Sequence, residues 1–545
     1  MSARRTHRRI FLAGAAISLV AISAPAHAFC GGGGTDQAGG NGHASSAQCD
    51  ATAFGEFAFA TGNDNTAFGQ AAIAAGDLGL SVQETAIGSQ ASAGGLQGSG
   101  QGDAATAVGY GAFAGSNLIG VDGSNATALG AVSRASTNAT ALGSGAKALG
   151  DNSIASGFNA KAGSAAGVGT GQIAIGTESH ATGNISLALG TSSTATGSFA
   201  TSINTGPGAA AGALADATVA IGSGSLVSAG SGFGSLAIGY QSKVVSGTGA
   251  VALGSQSTAT GDGAVAIGDP NVANGVGAVA IGANNTATGQ GASTLGNGNT
   301  ATGQGALAFG NHSNALIIGG IALGDMASVT AAASDGVAIG TTATASGVEA
   351  VALGAGATAG ASGAIAIGRG TTASGTNSTA IGFGAGTGTL ANATAIGNGA
   401  KATRVNQVVL GTTTNTYTLT GVPSAASLAA QTGPTSFVTT DASGNLATSA
   451  FGPQAIAGIQ NNITTLQRDV RRGYEGSAIA MAMGGIAIPE HKNYALSMNV
   501  GNFRGETGFA SAVAVRFNES ATFNAAVGVG ARGGVGARGG VTFAW

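Results

Sequence analysis

The side chains that could carry out chemistry are few and scattered along the chain. Beyond the first 28 residues there are four histidines, at His43, His180, His312 and His491. None belongs to an H-E-x-x-H motif, in which two imidazoles share one helix face and bind zinc. Matches to G-x-G-x-x-G follow no βαβ pattern, and serine, histidine and aspartate occur without a nucleophile elbow. We therefore predict no catalytic site, metal site or cofactor, and expect a protein that is not an enzyme.

The first 28 residues have the pattern of a secretory signal peptide. Four arginines lie within the first nine residues, an apolar stretch spans Ile10–Ser23, and the small side chains Ala26 and Ala28 mark a cleavage site. A lipoprotein signal based on Cys30 is the weaker alternative, because the bulky Phe29 precedes this cysteine. We expect cleavage before Phe29 and export of the mature chain.

The mature chain has two cysteines, Cys30 and Cys49, in a glycine-rich N-terminal tip that spans residues 29–52. In an oxidising compartment, an intrachain disulfide that closes this tip is expected. An interchain bridge and two free thiols are the alternatives. In each case the cysteines would constrain only the tip.

Composition excludes several classes of protein. Glycine accounts for 101 of the 545 residues, while charged residues make up 8% and aromatic residues 5%. This differs from an ordinary enzyme domain and from a charged disordered tail, and glycine does not recur at every third position as in collagen. Residues 29–453 carry 7 basic and 17 acidic side chains, and residues 454–545 carry 8 and 5. Nucleic-acid binding is not predicted, because clustered basic residues with interleaved aromatics are missing.

The tripeptide Ala-aliphatic-Gly recurs every fourteen residues through the middle of the chain. Its glycines are Gly254, Gly268, Gly282, Gly296 (here after Thr-Leu), Gly310 and Gly324, then Gly340, Gly354, Gly368, Gly382, Gly397 and Gly411 after short slips, with weaker copies back to Gly55. A fixed period of this length indicates one supersecondary unit stacked on itself. We assign residues 53–403 to these head repeats.

Each repeat contains two short alternating runs, such as Val265–Gly268 and Thr286–Gly289. Alternation predicts strands, and glycine at the corners permits the positive φ of a sharp turn. The aliphatic side chains are expected to fill the lumen of the coil, with alanine on the opposite face. Substitution of Ile267 and Ile281 by Asp should then unfold the coil, whereas Thr258→Ala should cost little.

The C-terminal quarter has a different pattern. Residues 404–453 resemble a β-rich neck or adaptor, and residues 454–472 contain an a/d heptad seam formed by Ile456, Ile459, Ile463, Leu466 and Val470. Isoleucine at both a and d favours more than two helices in a coiled coil. Residues 473–545 begin with a small-residue helix and continue with four alternating runs whose lengths match membrane strands of about 9–11 residues. Four strands cannot close a barrel, whereas three chains would supply twelve.

Together, the head repeats, the short coiled coil, the helix with four strands and the terminal aromatic Trp545 resemble the YadA-like trimeric autotransporter adhesins of the type Vc secretion family. The resemblance implies an all-β head that is a trimeric left-handed parallel β-roll, and a trimeric twelve-stranded β-barrel anchor in the cell outer membrane. It also implies that Trp545 is a signal for the barrel-assembly machinery. The partners expected are two further copies of the chain and a ligand on host matrix or cells.

Two functions remain open from the sequence. The first is a self-exported adhesin that attaches to host matrix, cells or surfaces and causes cell-cell autoaggregation, with its head exposed on the cell surface. The second is a passive coat or an ice- or abiotic-surface-binding array, because regular Thr-x-Thr pairs could order water. Lengthened repeats at 77–84, 94–102, 115–123, 209–215 and 326–335 are candidate binding loops or tolerated drift.

Overall fold

A computed structural model describes residues 51–61, 64–75, 83–94, 104–115, 125–164, 169–206 and 210–545, and the backbone of the strands Ala26–His27 and His43–Ser45. The chain divides into two units, Met1–Asn415 and Thr416–Trp545, each with its own architecture. Of the predicted N-terminal site residues, Ala28, Cys30 and Cys49 lie outside the described residues. The lengthened repeats at 77–84, 94–102 and 115–123 also lie largely outside them.

Over its described residues, the first unit is an all-β solenoid of about 23 turns, which confirms the predicted repeat. Each turn gives one strand to each of two parallel sheets, joined by tight turns. Successive turns stack in register, so that Ala266 pairs with Ala280 and Ile267 with Ile281. The short strands reflect a repeat with only enough residues for two strands and two corners.

The first sheet begins with the strand Ala26–His27, antiparallel to its neighbour, and all its other strands are parallel. These strands are Thr52–Phe54, Thr66–Phe68, Thr85–Ile87, Thr106–Val108, Thr127–Leu129, Thr140–Leu142, Ile154–Ser156, Ile173–Ile175, Leu187–Leu189, Thr201–Ile203, Val219–Ile221, Leu236–Ile238, Val251–Leu253, Val265–Gly268, Val279–Ala283, Ser293–Asn297, Leu307–Asn311, Ile321–Asp325, Val337–Ile339, Val351–Leu353, Ile365–Ile367, Thr379–Ile381, Thr394–Ile396 and Val408–Leu410.

The second sheet is parallel throughout its described strands. They are His43–Ser45, Phe59–Thr61, Ile73–Ala75, Ser92–Ala93, Phe113–Ala114, Arg134–Ala135, Lys147–Ala148, Lys161–Ala162, His180–Ala181, Thr194–Ala195, Gly212–Ala213, Leu226–Val227, Lys243–Ser246, Thr258–Thr260, Asn271–Asn274, Asn285–Thr288, Thr300–Thr302, Asn314–Ala315, Ser328–Val329, Thr344–Ala345, Thr358–Ala359, Thr372–Ala373 and Gly386–Gly388.

The lumen of the solenoid is filled by alanine, so the prediction that isoleucine, leucine and valine fill it is wrong. Ala266 and Ala273, one from each sheet of the same turn, are both completely buried. Ile267 and Ile281 are only half-buried on the outer side. The two sheets lie too close for long side chains between them, so the small side chains point inward and the aliphatic ones outward. The structure confirms the predicted alternation, but alanine takes the inner face and the aliphatic residues take the outer face.

The corner glycines have the positive φ predicted for them. Gly254, which follows the aliphatic residue of its repeat, has φ +122°, and Gly261 at the second corner has φ +109°. A Cβ on Gly254 would collide with the carbonyl oxygen of Gly268 in the next turn. Glycine is therefore required both for the backbone conformation and for the close stacking of successive turns.

The second unit starts with an exposed segment that contains the helix Ala425–Ala429 and a hairpin of Val438–Thr440 with Leu446–Thr448. Ser424 caps this helix by accepting a hydrogen bond of 3.1 Å from the Ser427 N–H. The predicted β-rich segment 404–453 therefore also contains helix, and the last solenoid strand, Val408–Leu410, lies within it.

A long helix, Pro453–Ala482, precedes four antiparallel strands, Tyr494–Phe503, Glu506–Asn518, Ala521–Gly530 and Val535–Phe543. The strands pair in sequence order, and the C-terminal half of the helix packs on one face of their sheet. The helix continues through Gly473, so the predicted coiled coil and the predicted small-residue helix form one element. Within the described residues, no helix has the length and apolar character of a membrane span.

Candidate interaction surfaces

The outer face of the first sheet carries an apolar column along the solenoid. The third position of most strands is an aliphatic side chain, stacked on its equivalents in the turns before and after. Leu253, for example, is 38% exposed, and Val251 two residues earlier is half-buried beside it. The exposed members include Phe68, Ile87, Leu129, Leu142, Ile175, Leu189, Leu253, Leu295, Leu353 and Ile396. A continuous apolar surface of this length is typical of an interface.

The outer face of the second sheet is more polar and less regular. Thr286 stacks on Thr300 in the next turn, and Thr288 stacks on Thr302. In the preceding turn Thr286 stacks on Val272 and not on a threonine, so the threonine pairs are not continuous. The regular threonine array expected for an ice-binding surface is therefore limited to short stretches of this sheet.

The predicted coiled-coil seam forms one stripe of the long helix. All five of its side chains, Ile456, Ile459, Ile463, Leu466 and Val470, are exposed in the single chain. They lie in the N-terminal part of the helix, before the buried residues that pack on the four strands. An apolar stripe with heptad spacing is stabilised when it packs against other helices, which the described part of one chain does not supply.

Glycine residues allow the C-terminal half of this helix to contact the sheet closely. A Cβ on Gly508 would lie 2.6 Å from the backbone nitrogen of Ile479, and one on Gly528 would lie 2.6 Å from the Ile479 Cγ2. Ala478 and Ile479 are both buried at this contact. The strands therefore expose backbone rather than side chains where the helix crosses them.

Glu475 fastens the helix to the turn between the third and fourth strands of the anchor. Its side chain is only 2% exposed, and its carboxylate accepts a hydrogen bond from the backbone N–H of Arg532. The Arg532 Nε donates to Glu506 Oε2 at 2.9 Å, which links this turn to the second strand. Sequence reasoning missed these residues, although an acidic residue within a small-residue helix was a signal that it has a specific partner.

The face of the sheet that points away from the helix is apolar. Leu496, Met498 and Val500 alternate with smaller residues along the first strand, and Met498 is 81% exposed. Phe509 and Val513 continue this face on the second strand, opposite Val500 and Leu496. Within the chain the two outer strands, Tyr494–Phe503 and Val535–Phe543, each pair on one side only.

The structure does not bring the predicted site residues into one place. Ala26 lies in the first strand, the seam residues lie on the long helix, and Trp545 is fully exposed at the end of the chain. The lengthened repeat at 326–335 is described, with Met326 exposed and Ala333 buried. In the part of the chain that the structure covers, no group of three or more His, Cys, Asp or Glu side chains could hold a metal ion.

Two parts of the chain match known protein families. The anchor strands belong to a match with the YadA-like membrane anchor domain, at residues 486–545. The solenoid matches the YadA head domain repeat (2 copies) at residues 135–160, 169–191, 186–203, 246–269, 273–299, 301–327, 331–357, 359–385 and 391–412.

Among curated proteins, none matches the chain. Among solved structures, the chain is similar to the collagen-binding domain of the Yersinia adhesin YadA. The two are 26% identical, the match covers 35% of this chain and 72% of that chain, and the TM-score is 0.13.

Proposed function

Because the chain belongs to the YadA-like trimeric autotransporter adhesins, with its anchor in the outer membrane and its head exposed, we propose that the head attaches cells to host matrix or other cells and causes autoaggregation. The observation that carries this proposal is the combination, in one chain, of a long solenoid with a polar outer face on its second sheet and an anchor with an apolar outer face. A solenoid offers an extended surface rather than an enclosed pocket, which suits a large ligand.

The assembly that we propose for this chain is a homotrimer. Three features of the single chain support it: the apolar column of the first sheet, the exposed heptad seam and the two open edges of the four-stranded sheet. Three copies would cover the seam and pair every edge in a twelve-stranded barrel, and an unpaired edge in hydrocarbon is strongly unfavourable. The apolar columns would meet at the interface of the three heads, which leaves the second sheets facing outward.

Export of the chain and insertion of its anchor into the outer membrane are assigned to residues at its two ends. We assign residues 1–28 to a signal cleaved after Ala28, so the strand Ala26–His27 would be absent from the mature chain. We assign Trp545 to recognition by the barrel-assembly machinery. A disulfide between Cys30 and Cys49 would close the tip of the head once the chain is in an oxidising compartment. Trp545 is fully exposed in the single chain, so it is accessible to a binding partner before assembly.

Attachment gains strength from repetition. Three heads per trimer and many trimers per cell convert weak contacts into strong adhesion, because each further contact forms at high effective concentration. A passive coat would show no such dependence on the head.

The test compares cells that display the full chain with cells that display a version lacking residues 29–403. Attachment to surfaces coated with collagen, laminin or fibronectin and the sedimentation of cell suspensions are measured at equal surface density of trimer. We expect the headless version to lose both activities. Equal behaviour of the two versions on every surface would support a passive coat instead.

A further inference from the structure

Four basic side chains stack in consecutive turns on the outer face of the second sheet. Arg134 pairs in register with Lys147, Lys147 with Lys161, and Lys161 with His180. The side chains of Arg134, Lys147 and His180 are exposed and that of Lys161 is half-buried. Because neighbouring strands lie about 4.8 Å apart, these residues form a straight row about 14 Å long. We call these four residues the basic row.

The concentration of positive charge here is unusual for this head. Residues 29–453 contain seven lysines and arginines in total, namely Arg134, Lys147, Lys161, Lys243, Arg369, Lys401 and Arg404. Three of the seven stack directly on one another, whereas the first 133 residues of the chain contain none after the signal peptide. The row therefore creates a local positive surface on a head whose overall charge is negative.

The fold itself does not neutralise this charge. Within the described residues, no carboxylate forms an ion pair with any member of the basic row. The acidic residues of the same turns are Asp151 and Glu178, and Asp151 instead accepts a hydrogen bond of 3.4 Å from the Ser136 hydroxyl. Like charges stacked across neighbouring strands repel one another, so an anion along the row would relieve this repulsion.

The residues beside the row decide which polyanion fits. Two positions after each row member the chain has Ser136, Leu149, Gly163 and Thr182, respectively, and none is aromatic. Phe113 pairs in register with Arg134 at one end of the row and is half-buried, and Phe158 is exposed at a corner before Lys161. Single-stranded nucleic acid is usually held by successive bases stacked on aromatic side chains, and these two residues do not form such a series along the row. A row one side chain wide also does not span the two backbones of a duplex. A flexible chain with charges along one line fits the row better.

We propose that the basic row binds a linear sulfated polysaccharide, with the sulfate groups accepting hydrogen bonds from the lysine and arginine side chains. This proposal rests on the proposed adhesive function and names one class of ligand for it. The row lies on the sheet opposite the apolar column, so it stays accessible when that column is covered by other copies of the chain. In a trimer, three rows would bind one polysaccharide chain or several with increased avidity.

The test uses the full-length protein on cells, with fluorescent heparin as the probe at a salt concentration of about 0.15 M. The variant K147Q/K161Q removes two adjacent charges of the row. Its matched control, K243Q/K401Q, removes two exposed lysines at isolated positions, Lys243 in the second sheet and Lys401 in a single bridge to Gly386 of that sheet. We expect heparin binding to fall about tenfold in K147Q/K161Q and to change less than about twofold in the control.

The charge-conserving variant K147R/K161R separates charge from folding and should retain heparin binding. If K147Q/K161Q is displayed poorly, the single variants K147Q and K147R provide the same comparison. Hyaluronan, which carries carboxylates but no sulfate, and a single-stranded oligonucleotide should bind more weakly than heparin.

The proposal is overturned if the full-length protein does not bind heparin, or if K147Q/K161Q and K243Q/K401Q lose heparin binding equally. It is also overturned if the oligonucleotide or hyaluronan binds as tightly as heparin. Attachment to the protein-coated surfaces should be unchanged in K147Q/K161Q. If heparin binding is absent but attachment to the protein-coated surfaces is retained, the polysaccharide proposal is wrong and the adhesive function is not affected. Identical behaviour of full-length and headless cells would remove the adhesive function as well.

Discussion

Asn285 and Asn271 are joined by a buried side-chain hydrogen bond, in which Asn285 Nδ2 donates to Asn271 Oδ1 at 3.0 Å. The backbone N–H of Asn285 donates to the same oxygen at 2.9 Å. Asn299 repeats both contacts to Asn285 in the next turn, at 2.9 and 3.0 Å. At one corner of the narrow lumen, a ladder of side-chain amides therefore satisfies buried hydrogen-bonding groups and links three turns.

Removal of an amide from this ladder is expected to destabilise the solenoid locally. Asn285→Ala removes the Oδ1 that accepts from the buried backbone N–H of Asn299 and the Nδ2 that donates to the carbonyl oxygen of Gly296, at a cost of about 1–3 kcal/mol. Hydrogen exchange of the turns around residue 285 in the full-length protein measures the effect.

Asn285→Ser is the matched control for the ladder. Ser257 occupies the equivalent corner two turns earlier, where its hydroxyl donates to the Gly268 carbonyl oxygen at 2.8 Å. Serine at 285 can make the same contact, so its cost should be less than half that of alanine. Equal protection from exchange in the two variants would contradict the proposed role of the amides.

The first sheet has alanine on its inner face and aliphatic residues on its outer face, and this arrangement gives a second prediction. Ala266→Leu forces a long side chain between the two sheets and should cost about 1–3 kcal/mol or more in local stability, because the lumen has no space for it. Ile267→Ala should leave the turns of one chain intact but weaken contact between chains. Protease resistance reports the first effect and chemical crosslinking of heads the second. If Ile267→Ala opened the turns as readily as Ala266→Leu, the assignment of the inner face would be wrong.

The close contact between helix and strands in the anchor gives a third prediction. Gly508→Ala places a Cβ against the Ile479 backbone and should displace the helix, whereas a Cβ on Gly539 meets only the Asn524 carbonyl oxygen at 3.9 Å. We expect Gly508→Ala to lower the amount of assembled anchor in the outer membrane severalfold and Gly539→Ala to leave it unchanged. Quantitative blotting of membrane fractions makes this comparison, and similar amounts of both variants would argue against the contact.

The open edges of the anchor sheet give a fourth prediction. Residues 454–545 alone should form a trimer that resists heat in outer membranes, because two further chains are needed to pair both edges. Unheated gels together with crosslinking measure the assembly, and deletion of the head should not change it. A correctly inserted monomer would contradict the twelve-stranded barrel.

Much of the architecture was available from the sequence. The fourteen-residue period determined a stacked β unit, the positions of corner glycines such as Gly254 and the strands of both sheets, because stacking requires the same residue types to recur at the same place in each turn. The heptad from Ile456 to Val470 predicted helix, and the long alternating runs after it predicted the four anchor strands.

Only the tertiary structure decided which side of the first sheet is inside. Period-2 alternation shows that Val265 and Ile267 share one face and that Ala266 takes the other, but it contains no information on the distance between the two sheets. That distance depends on how tightly the corners turn, and here alanine takes most inner positions, with valine at Val227, Val244 and Val329.

Tertiary structure also decided which distant residues meet. Lys147 and Lys161 are fourteen residues apart, but Arg134 precedes Lys147 by thirteen and His180 follows Lys161 by nineteen. They align because the strands keep their register although the number of residues between them varies. The same holds for Glu475 and Arg532, which are 57 residues apart and meet only after the helix has packed on the sheet. The local sequence thus determined the elements, while the register of the turns and the packing of the helix determined these contacts.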